Sequence, residues 1–249
     1  DYQFEQVRLD EPRPDEVIVK IVASGICRSD EAARTGKAPQ VFPAVLGHEG
    51  AGIVEKVGSA VKDLEVGDQV VLGFNYCGNC DSCRTGHPTT CEKWPKLNMT
   101  GVRDDGSHTI FKEDGTPVAN IFTQSSFATH ALVNVNNVTK VDSDIDLRLV
   151  GPLGCGFATG SGTVINGLQP KANSSIAVFG TGAVGLGALM AAVIEGCTTV
   201  IAIDIHDERL ELALELGATH TINSKTEDLN ERIKEITGGK GVDYSVDTT

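Results

Sequence analysis

Ile176-Ala177-Val178-Phe179-Gly180-Thr181-Gly182-Ala183-Val184-Gly185 is the stretch that decides the architecture. Four apolar residues closed by a glycine read as a buried strand, and Ala183 to Glu195 reads as a helix apolar nearly all round, hence buried. Gly180-x-Gly182-x2-Gly185 is a weak signal alone, because glycine-rich turns are common. Here a strand precedes it and a helix follows, the context in which such glycines let the backbone approach a pyrophosphate whose charge the helix N-terminus favours.

Reading on toward the C-terminus, Val200 to Ile203 is a second strand, and Asp204 closes it. A carboxylate at that place can bind both hydroxyls of an adenosine ribose and repel a 2′-phosphate, which favours NAD over NADP. Arg209 nearby does not by itself overturn that preference. Asp207 to Leu216 follows as a helix with Leu210, Ala213 and Leu214 on one stripe and Gly217 as its stop. Thr219 to Ile222 reads as a third strand, Ser224-Lys225-Thr226-Glu227 as a capping box for a helix carrying Leu229, Ile233 and Ile236, and Val242 to Val246 as a fourth strand. Alternating strand and helix predicts a parallel sheet with right-handed crossovers.

Upstream the texture changes. Val17, Val19, Ile21 and Ala23 alternate along Glu16 to Ala23, a half-buried strand. Phe4 to Arg8, Ala51 to Val57, Gln69 to Leu72, Phe127 to Val135 and Val138 to Val141 read as further strands, with one or two helical turns over Ser29 to Thr35. These make a mostly antiparallel, partly closed β-barrel domain over residues 1–168 and a nucleotide domain over 169–249, the linker falling near Leu168 to Ser175. Between Met99 and Ser125 the chain is polar, with hairpin turns expected at Asp105-Gly106 and Asp114-Gly115. That stretch is either a solvated excursion or a wall of a substrate pocket.

The 249 residues carry 34 acidic against 21 basic side chains, a net charge of −13 that repels phosphate backbones and argues against nucleic acid. With 40% hydrophobic and 22% charged residues the composition is that of a globular protein, and neither a membrane span nor a signal peptide is visible. Seven cysteines without a secretory signal point to thiols and metal in a reducing cytoplasm.

Cys77-x2-Cys80-x2-Cys83-x7-Cys91 is the most specific single motif. Four thiolates close a tetrahedral zinc shell, which holds a loop together and leaves no position for chemistry. An iron–sulfur cluster fits less well, since the last gap is too long and Glu92 stands where that motif has proline. A zinc ribbon would pair two separated knuckles. A second group is Cys27, His48 and Cys155: one imidazole and two thiolates leave the fourth corner of a zinc free, the layout of a catalytic site. Taken singly, each has a bland reading as a buried thiol or a satisfied imidazole.

The order Cys27, Gly47-His48-Glu49, tetracysteine loop, Gly154-Cys155-Gly156 and Gly-x-Gly-x2-Gly resembles the zinc-dependent medium-chain alcohol dehydrogenases over essentially the whole chain. The stretches Phe74-Asn75-Tyr76-Cys77-Gly78 and Gln124 to Thr129 resemble the aryl-alcohol (benzyl-alcohol) branch. The resemblance implies a GroES-like β-barrel catalytic domain followed by a truncated Rossmann domain. It implies Cys27, His48 and Cys155 as catalytic zinc ligands, Glu49 behind the metal, Asp30 as acceptor of the other ring proton of His48, and Ser29 as acceptor of the substrate proton. Arg28 would pair with the cofactor pyrophosphate, and Thr159 and Val184 would line the nicotinamide.

The activity so implied is NAD-dependent oxidation of a zinc-bound primary alcohol, aromatic or allylic, to its aldehyde, with one catalytic and one structural zinc. A glutathione-linked formaldehyde dehydrogenase and a non-catalytic zinc-stabilised binding module are the alternatives. Sorbitol-type relatives place glutamate at the position of Cys155, which argues against a polyol. Many relatives also carry a relay histidine where this chain has Ala32. Because Ile176 to Thr249 is short for a whole Rossmann domain, the sequence reads as a piece of a longer enzyme, itself expected to be a homo-oligomer acting on a small alcohol or aldehyde.

Overall fold

A computed structural model describes residues 2–249. The chain divides into two compact units, the first ending at Cys155 and the second beginning at Gly156. This break falls earlier than the expected boundary at residue 168. The helix Gly156–Gly162 belongs with the second unit because it packs on the helix Ala183–Ile194, where a Cβ on Gly160 would lie 1.9 Å from the carbonyl oxygen of Val184.

In the first unit the strands are β1 (Val7–Leu9), β2 (Glu16–Ser24), β3 (Gly50–Val57), β4 (Gln69–Leu72), β5 (Ile110–Lys112), β6 (Pro117–Val118), β7 (His130–Asn134) and β8 (Val138–Lys140). Five of them form an antiparallel sheet in the order β7-β2-β3-β4-β8. Register shifts between Ile18 and Val19 and between Ile21 and Ala23 bend β2 against β3, the kind of irregularity that lets a sheet curl. Val17, Val19, Val54, Val70, Leu72, Ala131 and Val133 fill the concave side. The predicted alternation along β2 thus sets which face is buried. Residues 4–6 lie outside any strand, so the first strand is shorter than its apolar texture suggests.

The segment 99–125 is no solvated excursion. Asp114-Gly115 turns β5 into β6, and β5 pairs with both β1 and β6 in a second small sheet, whereas the Asp105-Gly106 turn joins no two strands. Arg103 is buried and fully engaged: Nε and Nη2 donate to the two carboxylate oxygens of Glu16 at 2.7 and 2.9 Å, and Nη1 donates to Asp10 at 2.8 Å. Ile110, Val118, Ala119 and Ile121 are also buried.

The second unit carries β9 (Ser175–Phe179), β10 (Thr199–Asp204), β11 (His220–Asn223) and β12 (Tyr244–Asp247), all parallel, in the order β11-β10-β9-β12. The helices Ala183–Ile194 and Asp207–Glu215 bury Leu189, Ala192, Leu210 and Ala213 on one face with Ile176, Val178 and Val200. The helix Leu229–Thr237 lays Leu229, Ile233 and Ile236 on the other face, against Ala177, Ile201 and Ile222. Alternate residues of each strand therefore serve opposite layers, the signature of a doubly wound sheet.

Three details differ from expectation. Val193 and Ile194 are exposed at the end of their helix, so that helix is not buried all round. Asp228, not Ser224, caps the last helix by accepting from the N–H of Glu231 at 3.0 Å, while Glu227 bonds back to Asn223. The fourth strand begins at Tyr244 rather than Val242. Among the described residues no helix is long and apolar enough to cross a membrane.

Gly185 is required by packing. A Cβ there would sit 1.8 Å from the carbonyl oxygen of Gly180, holding the helix off the strand it caps. Gly185→Ala is expected to cost roughly 2–3 kcal/mol by overpacking, read as a lowered thermal midpoint. An unchanged midpoint would refute this close contact.

Candidate active site

The first unit builds its buried polar centre around one carboxylate. Asp30, fully buried in the helix Arg28–Arg34, accepts from the backbone N–H of Cys27 at 3.3 Å and from that of Gly47 at 2.8 Å. Its Oδ2 also lies 3.1 Å from Nδ1 of His48, close enough for attraction although poorly aligned as a hydrogen bond. Gly47 adopts φ +91°, and a Cβ there would strike the backbone nitrogen of Phe127 at 2.4 Å, so only glycine fits before His48.

Cys155 arrives from far along the chain. A Cβ on Gly151 would lie 2.2 Å from the carbonyl oxygen of Glu49 and one on Gly154 would lie 1.9 Å from that of Leu72. These two glycines let the turn settle against β3 and β4. Cys155 Sγ then stands 3.9 Å from Cys27 Sγ, across 128 positions of sequence. Ligand atoms of Cys27, His48, Glu49 and Cys155 all lie within 4.8 Å of one another. Gly25 leaves room for Glu49, whose Oε2 is 2.1 Å from where a Cβ would be.

This donor set fits zinc. Two thiolates on a tetrahedral zinc at ordinary Zn–S lengths stand about 3.8 Å apart, close to the spacing found. His48 is fully buried and its Nε2 has no hydrogen-bond partner, a costly state that a metal relieves. The facing thiol of Cys155 drives the Cys27 thiol down to about 3, and the Cys27 thiolate in turn raises Cys155. Burial alone would lower the imidazole of His48, but Asp30 and Cys27 outweigh it and raise the ring to about 9. The pocket thus gathers negative charge that suits a dication.

The ligand atoms of Cys77, Cys80, Cys83 and Cys91 likewise lie within 4.8 Å of one another, with Cys77 Sγ and Cys83 Sγ 3.9 Å apart. Backbone N–H groups of Cys77 and Cys80 point at the sulfurs of Cys91 and Cys77 at 3.3 and 3.4 Å, as they do around thiolates. The two ends of the loop are tied together by Asn98, which exchanges two hydrogen bonds with the backbone of Asn75 at 2.9 and 2.8 Å.

Sequence reasoning missed an aromatic wall beside His48. The Phe122 ring meets the imidazole edge-on at 4.8 Å, Phe74 meets Phe122 at 5.0 Å, and Trp94 lies 5.8 Å from Phe74. All three rings are half-buried. Arg28 and Ser29 are exposed in the first helical turn after Cys27.

In the second unit the three glycines do three things. Gly180 takes φ +80°, Gly182 faces open space where a Cβ would meet nothing within 4 Å, and Gly185 packs the helix down. Gly182 thus leaves a cradle for an approaching phosphate. Asp204 ends β10 and is almost wholly buried. Its Oδ2 accepts from the N–H and hydroxyl of Thr181 at 2.7 and 2.9 Å, and its Oδ1 accepts from the N–H groups of Ile205 and His206 at 2.7 and 3.1 Å. Burial pushes its pKa up, but these donors prevail and hold the carboxylate below its usual range. Asp204 is therefore already engaged, and a ribose hydroxyl has to share or displace a donor such as the Thr181 hydroxyl. Arg209 Nη1 stands 3.8 Å from it. Thr159 is exposed and Val184 half-buried.

A GroES-like barrel with two four-ligand groups and a doubly wound nucleotide-type sheet defines a zinc-binding dehydrogenase. The family model for the alcohol dehydrogenase GroES-like domain matches residues 13–143, and that for zinc-binding dehydrogenase matches residues 183–249. The chain belongs to the medium-chain zinc-binding alcohol dehydrogenase family. It is 45% identical over 247 residues to the geraniol dehydrogenase of Castellaniella defragrans, covering 98% of this chain and 66% of that protein. It is also similar to the crystal structure of an alcohol dehydrogenase zinc-binding domain protein from Burkholderia ambifaria (52% identity, TM-score 0.94). The crystal structure of benzyl alcohol dehydrogenase from Acinetobacter calcoaceticus matches at 48% identity and a TM-score of 0.91. Both structural matches cover 98% of this chain and 66% of theirs, so the chain spans about two thirds of the length of these relatives.

Proposed function

We propose that this chain serves the NAD-dependent oxidation of a hydrophobic primary alcohol, aromatic or allylic, to its aldehyde. The observation that carries the reading is the buried His48, its Nε2 without a hydrogen-bond partner, facing Cys27 and Cys155 beside an aromatic wall. Cys27, His48 and Cys155 hold one zinc, with Glu49 behind it, and Asp30 orients the imidazole through Nδ1. Cys77, Cys80, Cys83 and Cys91 hold a second zinc that stabilises the loop. When bound, zinc supplies the Lewis acidity that makes an alcohol hydroxyl acidic, and the nicotinamide supplies the acceptor for hydrogen and its electron pair.

The remaining roles fall to side chains. Ser29 takes the hydroxyl proton at Oγ as it releases its own hydroxyl proton toward water, because Ala32 leaves no histidine at that position to receive it. Arg28 pairs with the pyrophosphate, Thr159 and Val184 line the nicotinamide, and Gly180, Gly182 and Gly185 shape the phosphate turn. Phe74, Trp94 and Phe122 offer ring faces to a planar carbon skeleton. A reducing cytoplasm suits the seven cysteines, none of which forms a disulfide in the structure. The geraniol and benzyl alcohol dehydrogenases among the relatives support the substrate class.

The test is a panel of benzyl alcohol, geraniol, ethanol and sorbitol with NAD, followed by NADH absorbance. Turnover of the first two well above the last two is expected, and equal or absent turnover of all four rejects the reading. Asp204 carries the choice of NAD. Asp204→Ser is expected to move the NAD-to-NADP ratio of kcat/KM toward NADP by roughly tenfold, because a negative charge beside a 2′-phosphate is removed. A wild-type preference for NADP would remove this role from Asp204.

A further inference from the structure

Among the described residues, three of the five non-glycine residues with left-handed backbone fall in one turn: Phe122 (φ 49°), Thr123 (φ 55°) and Ser125 (φ 56°). Such backbone is disfavoured for phenylalanine and for β-branched threonine, and it persists only where the surroundings over-determine it. One side of the turn is fastened to the His48 stretch. Ser125 Oγ accepts from Ile121 N at 3.1 Å and donates to Val45 O at 2.7 Å, while the N–H groups of Ser126 and Phe127 donate to Gly47 and Leu46 at 2.8 and 2.9 Å.

The other side is fastened by Asn137, which is buried just before β8. Its Nδ2 lies 2.9 Å from Thr123 Oγ1, 3.3 Å from Phe122 O and 3.3 Å from Gly73 O. An amide has two N–H donors, and here both are spent on the turn and on the residue before Phe74. One buried side chain therefore couples the two backbones that carry Phe122 and Phe74. Their rings meet edge-on at 83°, and Phe122 meets His48 at 69°.

We infer that Asn137 is a positioning residue for substrate choice. By holding the Phe122–Thr123 turn left-handed it sets the Phe122 ring against His48 and Phe74, and that wall favours planar aromatic alcohols over small alkyl ones. The inference rests on the alcohol-oxidising reading above. The amide of Asn137 bonds to Thr123, Phe122 and Gly73, which belong to neither zinc group, so its loss removes no ligand from either, and zinc content reports whether both stay filled.

Trp94 is the single tryptophan of the chain and lies 5.8 Å from Phe74 and 6.2 Å from Phe122, so its emission reports on the wall. The zinc-loaded full chain is titrated with benzyl alcohol by Trp94 emission and with ethanol by competition, zinc content being measured on every sample. Asn137→Ala and Thr123→Val each remove one partner of the 2.9 Å contact and are expected to weaken benzyl alcohol by roughly tenfold. Ethanol stays within about twofold, and Thr123→Ser, which keeps the hydroxyl, holds the wild-type ratio within about twofold. If Asn137→Ala does not fold, the Thr123→Val and Thr123→Ser pair decides. Variants that retain zinc and the full benzyl preference overturn the role of Asn137 and leave alcohol oxidation standing. A wild-type chain with no benzyl preference overturns both.

Discussion

Cys155→Ser is expected to abolish turnover while the fold survives. Cys155 stands 3.9 Å from Cys27 and completes the group around His48, but it ends a turn and anchors no strand. Its thiol-to-hydroxyl exchange keeps the volume and removes a soft ligand that zinc prefers to an alcohol oxygen. Lewis-acid activation contributes several kcal/mol to such a reaction, so turnover should fall on the order of a thousandfold. Circular dichroism and the thermal midpoint should stay close to wild type. A Cys155→Ser variant with turnover near wild type would remove the first zinc group from the mechanism.

Cys83→Ser should behave in the opposite way. Its four-thiol group has no open corner and lies in a loop whose only regular structure is two short helices and a single 3₁₀ turn. With so little apolar surface to bury, the loop depends on the metal for its shape. Losing it should cost about 3 kcal/mol or more, which for a chain of this size lowers the melting temperature by roughly 10 °C. Limited proteolysis should cut first between Cys77 and Met99. Because Phe74 precedes this loop and Trp94 lies within it, a weaker grip on aromatic alcohols should follow, with the group around His48 still able to take up zinc. Wild-type melting and protease resistance in Cys83→Ser would show that the loop stands without metal.

Most of the architecture was legible in the residues for plain reasons. Period-two burial along β2 and the strand–glycine–helix sequence around Gly180 each state their own geometry. The four closely spaced cysteines announced a metal group, and the gathering of Cys27, His48 and Cys155 was legible mainly through their order along the chain. What stayed hidden depends on long-range packing. No glycine marks the left-handed turn at Phe122, Thr123 and Ser125, so nothing local betrays the wall it builds. The many polar residues of the segment 99–125 left a solvated excursion and a pocket wall equally open, and burial of Arg103, Asn120 and Gln124 with partners decides against the first. Asp204 reads in the sequence as a carboxylate for both ribose hydroxyls, but the four donors already around it come from backbone and Thr181 geometry that sequence does not display. The unit boundary was sought in the polar stretch after Leu168, whereas the close approach of Gly160 to Val184 moves a helix across it.

Two metals with separable roles are the centre of this account, and metal content measures them directly. Elemental analysis of the purified chain should find two zinc ions per chain, one in Cys155→Ser and one in Cys83→Ser. A single zinc per well-folded wild-type chain, or iron in place of zinc, would contradict it.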